Sequence, residues 1–224
     1  MGYFSRLGYI SKYLPFSYLW VFRVLVGKDV KTILDIGCGD GNFMKGLAVG
    51  EKWKIIGIDI YPKSLEEARE KNVYADLIKG DIIKIAKDLV NKKQKFDLVF
   101  CSATIEHLSK KDGFILLRQV EKLASKKIIF GTPNGFMNNP KKFLGENKYQ
   151  VHKSGWTQKE FEELGYKVYG AGLKGVWSEE GYARSNIPLV SISSRLLSLM
   201  LSPLLYFFPS LSEDLISLKD MGSN

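Results

Sequence analysis

The sequence predicts an α/β domain built on a doubly wound, mostly parallel sheet. Three observations carry that prediction. Short apolar runs alternate with segments of helical periodicity along most of the chain. A glycine-rich turn, Gly37-Cys38-Gly39-Asp40-Gly41, directly follows the first apolar run. Aspartates recur at the ends of three successive runs, Asp35, Asp59 and Asp81.

Residues 32–36 read as the first strand, and the glycine turn opens into a helix over 41–48. The second strand is 54–60 (K-I-I-G-I-D-I). Pro62 suits the first turn of the next helix, which continues over 64–71. Residues 73–79 form a weak third strand ending at Gly80-Asp81, and 82–90 are helical. The run 95–101 (K-F-D-L-V-F-C) is a strong fourth strand. Residues 112–123 place Phe114, Leu117 and Val120 at helical spacing before a fifth strand over 127–131. A loop rich in Gly, Pro and Asn spans 132–145. Thr157 and Glu160 then form a T-x-x-E capping box, Gly165 closes that helix, and 166–173 is the sixth strand. No internal repeat or low-complexity tract interrupts the pattern.

At 224 residues the chain suits a single domain, read as a helical cap (1–29), a core (30–177), an apolar helical insert (178–212) and a last strand (213–221). Two cysteines, Cys38 and Cys101, make no disulfide framework, so a reducing, cytoplasmic setting is expected. The N-terminus lacks a basic-then-apolar signal layout. Net charge is +9, which fits acidic partners such as nucleic acid, anionic lipid or phosphorylated substrates. The lysines are scattered, however, which favours a solvated basic surface over a dedicated patch.

The chemistry concentrates at the strand ends. Glycine at 37, 39 and 41 lets the backbone turn sharply and approach a ligand closely, at the edge where open α/β sheets hold nucleotide-like ligands. Asp59 lies 22 residues after Gly37, placed to accept from a ribose diol. Asp81 can accept from an adenine amino group. Asp35 sits inside an apolar strand and needs donors, which glycine-loop amides or a ligand's ammonium group would supply. Asp59 and Asp81 also have plainer readings as turn or cap residues.

Four segments, 34–41 (L-D-I-G-C-G-D-G), 57–60 (G-I-D-I), 79–82 (K-G-D-I) and 96–108 (F-D-L-V-F-C-S-A-T-I-E-H-L), occur in an order and spacing that resemble the class I S-adenosylmethionine-dependent methyltransferases. The likeness covers about residues 31–172 and implies a Rossmann-like sheet of seven strands, the last antiparallel. It implies that Asp35, Gly37, Cys38 and Gly39 hold the methionine end of S-adenosylmethionine. It further implies Asp59 with Ile60 at the ribose, Asp81 with Ile82 at the adenine, and Ser102 beside the cofactor. A nicotinamide enzyme is the rival for the bare fold, but it would carry G-x-G-x-x-G where this chain has Asn42 at the last position. Asp35 and Asp40 also suit a cationic ligand better than a pyrophosphate.

Methyl transfer from a sulfonium needs alignment and, for a hydroxyl acceptor, a base. No D/N-P-P-Y/F follows the fourth strand, so amino methylation of adenine or glutamine has no support. His107 is the base candidate, with His152 in the later loop as a second catalytic candidate. The I-E-H-L, T-P-N-G and H-K-S-G-W-T segments are similar to the metal-dependent small-RNA 3′-terminal 2′-O-methyltransferases. That resemblance implies Glu106, His107 and His152 as metal ligands, but Ala103 stands where its first glutamate should be. The favoured expectation is metal-free O-methylation of a small acceptor, with nucleic acid left open as a partner. A non-catalytic cofactor-fold binding protein is a further alternative.

Residues 187–208 are strongly apolar, yet Arg195, Pro203 and several serines leave no uninterrupted membrane span. They read as one or two helices lying on the domain ahead of a last strand over 214–219, serving as a lid, a homodimer contact or a peripheral membrane contact. The family resemblance implies a helical N-terminal cap over the cofactor, and the aromatic residues Tyr3, Phe4, Tyr9, Tyr13, Phe16, Tyr18, Trp20 and Phe22 would give it a lining suited to an apolar acceptor. Both apolar appendages point to a hydrophobic or lipid-linked acceptor.

Overall fold

A computed structural model describes residues 14–139, 147–178 and 180–222. Tyr3, Phe4, Tyr9 and Tyr13 of the aromatic run lie outside the described residues. One sheet holds β1 (Thr32–Ile36), β2 (Lys54–Asp59), β3 (Asp76–Lys79), β4 (Phe96–Ser102), β5 (Ala124–Pro133), β6 (Lys167–Leu173) and β7 (Ser212–Asp220). Their order is β3-β2-β1-β4-β5-β7-β6, and only β7 runs against its neighbours. The helices are α1 (Tyr18–Val26), α2 (Asn42–Leu47), α3 (Pro62–Glu70), α4 (Ile82–Asn91), α5 (Lys110–Leu123), α6 (Gln158–Glu163), α7 (Pro188–Met200) and α8 (Ser202–Phe207).

Period-two alternation sorts the strand residues into two cores. Leu34, Ile36, Val99, Cys101 and Phe130 face a layer formed by α5 with Trp156 and Phe161. Ile33, Leu98, Phe100 and Ile129 face α1 and α2, where Phe22, Met44 and Leu47 are buried. Both faces are therefore covered, as a parallel sheet requires. The strand order reverses between β1 and β4, whose register pairs Asp35 with Phe100. That switch point sets the glycine turn beside Ser102 and opens a crevice at the strand C-termini.

Several boundaries differ from the sequence reading. The third strand is shorter, because Val73 and Tyr74 leave the ladder and only Ala75 bonds back to β2, its amide donating to the Ile55 carbonyl. The fifth strand is longer at both ends, since β4 pairs Phe96 with Ala124 at its start and β7 pairs with it as far as Pro133 at its end. Helix α5 begins two residues early, where Ser109 accepts from the Asp112 amide at 3.1 Å. The capping box at Thr157 is formed in both directions. The apolar segment folds as two helices, α7 and α8, ahead of the antiparallel last strand. Among the described residues no helix is long and apolar enough to cross a membrane.

Candidate active site

The glycine turn is held from below by β2. The amides of Gly37 and Cys38 both donate to the Ile58 carbonyl, at 2.8 and 3.0 Å. Gly37, Gly39 and Gly41 all have positive φ, at 73°, 54° and 73°, which is why the turn needs residues without a Cβ. Asp59, at the end of β2, braces the turn from the side. Its Oδ2 accepts from the Gly39 amide at 2.9 Å and its Oδ1 from the Tyr61 amide at 2.8 Å. Each oxygen keeps a further lone pair for a ligand. Asn42, the departure from a dinucleotide pattern, is tied to Asp40 by its amide and its side chain.

Asp35 is buried on β1, and its donor is one that local sequence does not reveal. The Tyr74 hydroxyl donates to Asp35 Oδ2 at 2.7 Å. Burial pushes the Asp35 carboxyl up to about 7; the Tyr74 bond opposes that rise and the Asp59 charge adds to it. The Cys38 thiol is likewise pushed far up, by burial and then by the Asp35 charge, which favours its neutral form. Asp81 caps α4, with Oδ1 accepting from the amides of Ile83 and Lys84. The cap reading of Asp81 is thus present in the structure, and the residue still lines the cleft.

All nine residues expected at the cofactor (Asp35, Gly37, Cys38, Gly39, Asp59, Ile60, Asp81, Ile82 and Ser102) line one cleft of about 1350 Å³. Tyr18 of α1 closes it on one side and lies 3.2 Å from Ser102 through their hydroxyl oxygens. Of the described cap aromatics, Tyr18 reaches the cleft, Phe22 packs on Phe43 and Phe100, and Phe16 and Trp20 pack on Tyr206.

A smaller cavity of about 260 Å³ adjoins the cleft, and Tyr18, Ala103 and His107 line both. Its walls bring together Glu106, His107, His152, Thr132 and Asp214. The two imidazole rings stand 4.9 Å apart between centroids. His107 Nδ1 lies 3.3 Å from the Val151 carbonyl and His152 Nδ1 lies 2.5 Å from the Met137 carbonyl. A carbonyl can only accept, so each Nδ1 is placed to donate. Burial, with the charge of His152, pulls the His107 imidazole down to about 4, so it is neutral at pH 7. Glu106 is buried, accepts from the Thr132 hydroxyl at 3.1 Å, and is raised to about 7 by burial. Asp214, which the sequence marks only as the start of a strand, is raised to about 8 by burial and the charges of Glu213 and Glu106.

One ligand atom each from Glu106, His107 and His152 lie within 4.8 Å of one another. A carboxylate with two imidazoles, each with Nδ1 beside a backbone carbonyl, is a donor set that fits a divalent ion. Ala103, at the position of the missing carboxylate, adopts a positive φ of 50° and contributes no ligand.

A family model for a methyltransferase domain matches residues 28–166. The chain is 26% identical over 154 residues to an uncharacterized methyltransferase, C70.08c, of Schizosaccharomyces pombe, covering 68% of this chain and 55% of that protein. It is 29% identical over 136 residues to a ubiquinone biosynthesis O-methyltransferase of Bordetella parapertussis, covering 58% and 53%. It is 28% identical over 189 residues to a small RNA 2′-O-methyltransferase of Schizosaccharomyces pombe, covering 66% and 46%. The chain spans about half the length of the curated relatives it matches. In fold it is similar to a SAM-dependent methyltransferase from Archaeoglobus fulgidus, with a TM-score of 0.55 at 18% identity over 96% of this chain and 100% of that one. The chain belongs to the methyltransferase-domain family and carries the fold of the S-adenosylmethionine-dependent methyltransferases.

Proposed function

We propose that this protein moves the methyl group of S-adenosylmethionine to a hydroxyl of a small, apolar acceptor. The observation that supports this reading most is the position of His107, which lines both the cofactor cleft and the adjoining cavity. In this reading the glycine turn and Asp35 hold the cationic methionine end, Asp59 the ribose and Asp81 the adenine. The acceptor oxygen attacks the methyl carbon in line. The C–O bond forms as the C–S bond breaks, S-adenosylhomocysteine leaves, and the hydroxyl proton passes to His107. A weakly basic imidazole suffices, because the oxygen turns strongly acidic as it gains the methyl group. The O-methyltransferase relatives support a hydroxyl as the acceptor.

A second reading is favoured by the closeness of Glu106, His107 and His152. These residues would hold a divalent ion, whose Lewis acidity lowers the pKa of a coordinated hydroxyl. The small-RNA relative then supports a terminal ribose as acceptor. A methyl-transfer assay with labelled S-adenosylmethionine separates the two, using apolar phenols and catechols in one arm and RNA in the other, each with and without EDTA. Label on the small acceptor that persists in EDTA is the expected result. Label only on RNA, lost in EDTA, overturns it in favour of the second reading.

A further inference from the structure

Helix α7 is turned inside out. Two of its serines face the domain: Ser191 Oγ donates to the Ala183 carbonyl at 2.7 Å, and buried Ser198 accepts from the Leu173 amide at 3.0 Å and the Trp177 indole at 2.8 Å. Its large apolar residues face away. Leu189, Ile192, Leu196 and Met200 follow helical spacing along one outer stripe, with Leu189 and Met200 more than three-quarters exposed. Phe207, the last residue of α8, and Phe208 after it are also more than half exposed, as is Tyr182 in the turn before α7. A water-facing helix has the opposite arrangement.

From this we infer that the outer face of α7 and α8 docks on the surface of an anionic phospholipid bilayer. Three features select that occupant. Residues 181–212 contain no aspartate or glutamate, in a chain of net charge +9, so no acidic side chain of this segment opposes anionic headgroups. Its centre is aliphatic and its ends aromatic, the order that matches acyl chains between headgroup-level rings. Protein interfaces concentrate aromatic residues, methionine and arginine at the centre instead. The helices are too short to span, so they lie on the surface. The patch is also continuous with the acceptor cavity. Arg195 donates to the Ala183 carbonyl, in the turn Tyr182–Arg184 that pins α7, and Arg184 of that turn lines the cavity. Docking would set the cavity beside the lipid, where an apolar acceptor resides.

Vesicle flotation of the full chain tests this. Binding to vesicles of phosphatidylcholine with about one-third phosphatidylglycerol is expected, with at least tenfold less bound to phosphatidylcholine alone. Leu196→Glu with Met200→Glu should cut binding to the anionic vesicles at least tenfold. These positions are exposed, so the melting temperature should stay unchanged. Failure to float with either vesicle overturns the proposal. So does a concentration-dependent dimer, seen by sedimentation equilibrium and abolished by the same two substitutions, since it would make a second copy the occupant. Neither outcome depends on which acceptor is methylated.

Discussion

Tyr74 reaches Asp35 by passing over Gly57. A Cβ added at Gly57 would lie 3.0 Å from Tyr74 Cδ1, 2.9 Å from Cys38 Sγ and 2.8 Å from Leu77 Cδ2. The bare strand position therefore admits the ring that donates 2.7 Å to the buried carboxylate. Because burial holds Asp35 at about 7, against 3.8 ordinarily, the folded chain keeps a proton between those pH values that the unfolded chain has lost. The associated stability is full below about 4 and is lost as pH rises through about 7. Thermal melts from pH 5 to 8 should therefore fall more steeply for the parent than for Asp35→Asn.

If Asp35 pairs with the cationic end of the cofactor, binding needs the charged form. Calorimetry should then show S-adenosylmethionine affinity rising from pH 6 to pH 8, with proton release. Tyr74→Phe removes the donor that favours the charged form, so the midpoint should move up. A flat profile in the parent would separate Asp35 from the cofactor.

Asp59→Ala removes both the brace on Gly39 and the ribose acceptor, and affinity for the cofactor should drop at least tenfold, about 1.4 kcal/mol. Asp59→Asn, which keeps one acceptor oxygen, should recover part of it. Unchanged affinity in the alanine variant would remove Asp59 from the site.

His107→Ala should lower kcat by roughly 10²–10⁴-fold, the range for loss of a positioned base, with cofactor Kd within about threefold. His152→Ala should cost less if His107 acts alone as the base. Equal losses, restored in neither case by excess base but matched by EDTA in the parent, would point to the metal-holding role of the trio.

The capping box at α6 predicts a purely structural effect. Thr157 Oγ1 accepts from the Glu160 amide at 3.3 Å, and Glu160 Oε2 accepts from the Thr157 amide at 2.9 Å. Thr157→Ala should cost about 1 kcal/mol in urea unfolding and leave cofactor affinity as it was.

What the sequence determined by itself are the features written in neighbouring residues. Alternating periodicity specified the strands and helices, positive-φ glycines specified the turn, and strand direction brought Asp59 and Asp81 to the same edge. The capping box was legible for the same reason, since Thr157 and Glu160 meet within one helical turn. Tertiary structure alone decided the contacts between distant segments. Tyr74 and Asp35 lie 39 residues apart, and their bond depends on the path the chain takes over β2. The entry of Asp214 into the cavity of His107 and His152 and the inward turn of Ser191 and Ser198 are of this kind, while the meeting of the two histidines was implied by family resemblance and not by periodicity. Each depends on sheet order and on which carbonyl lies opposite, and no local periodicity encodes either.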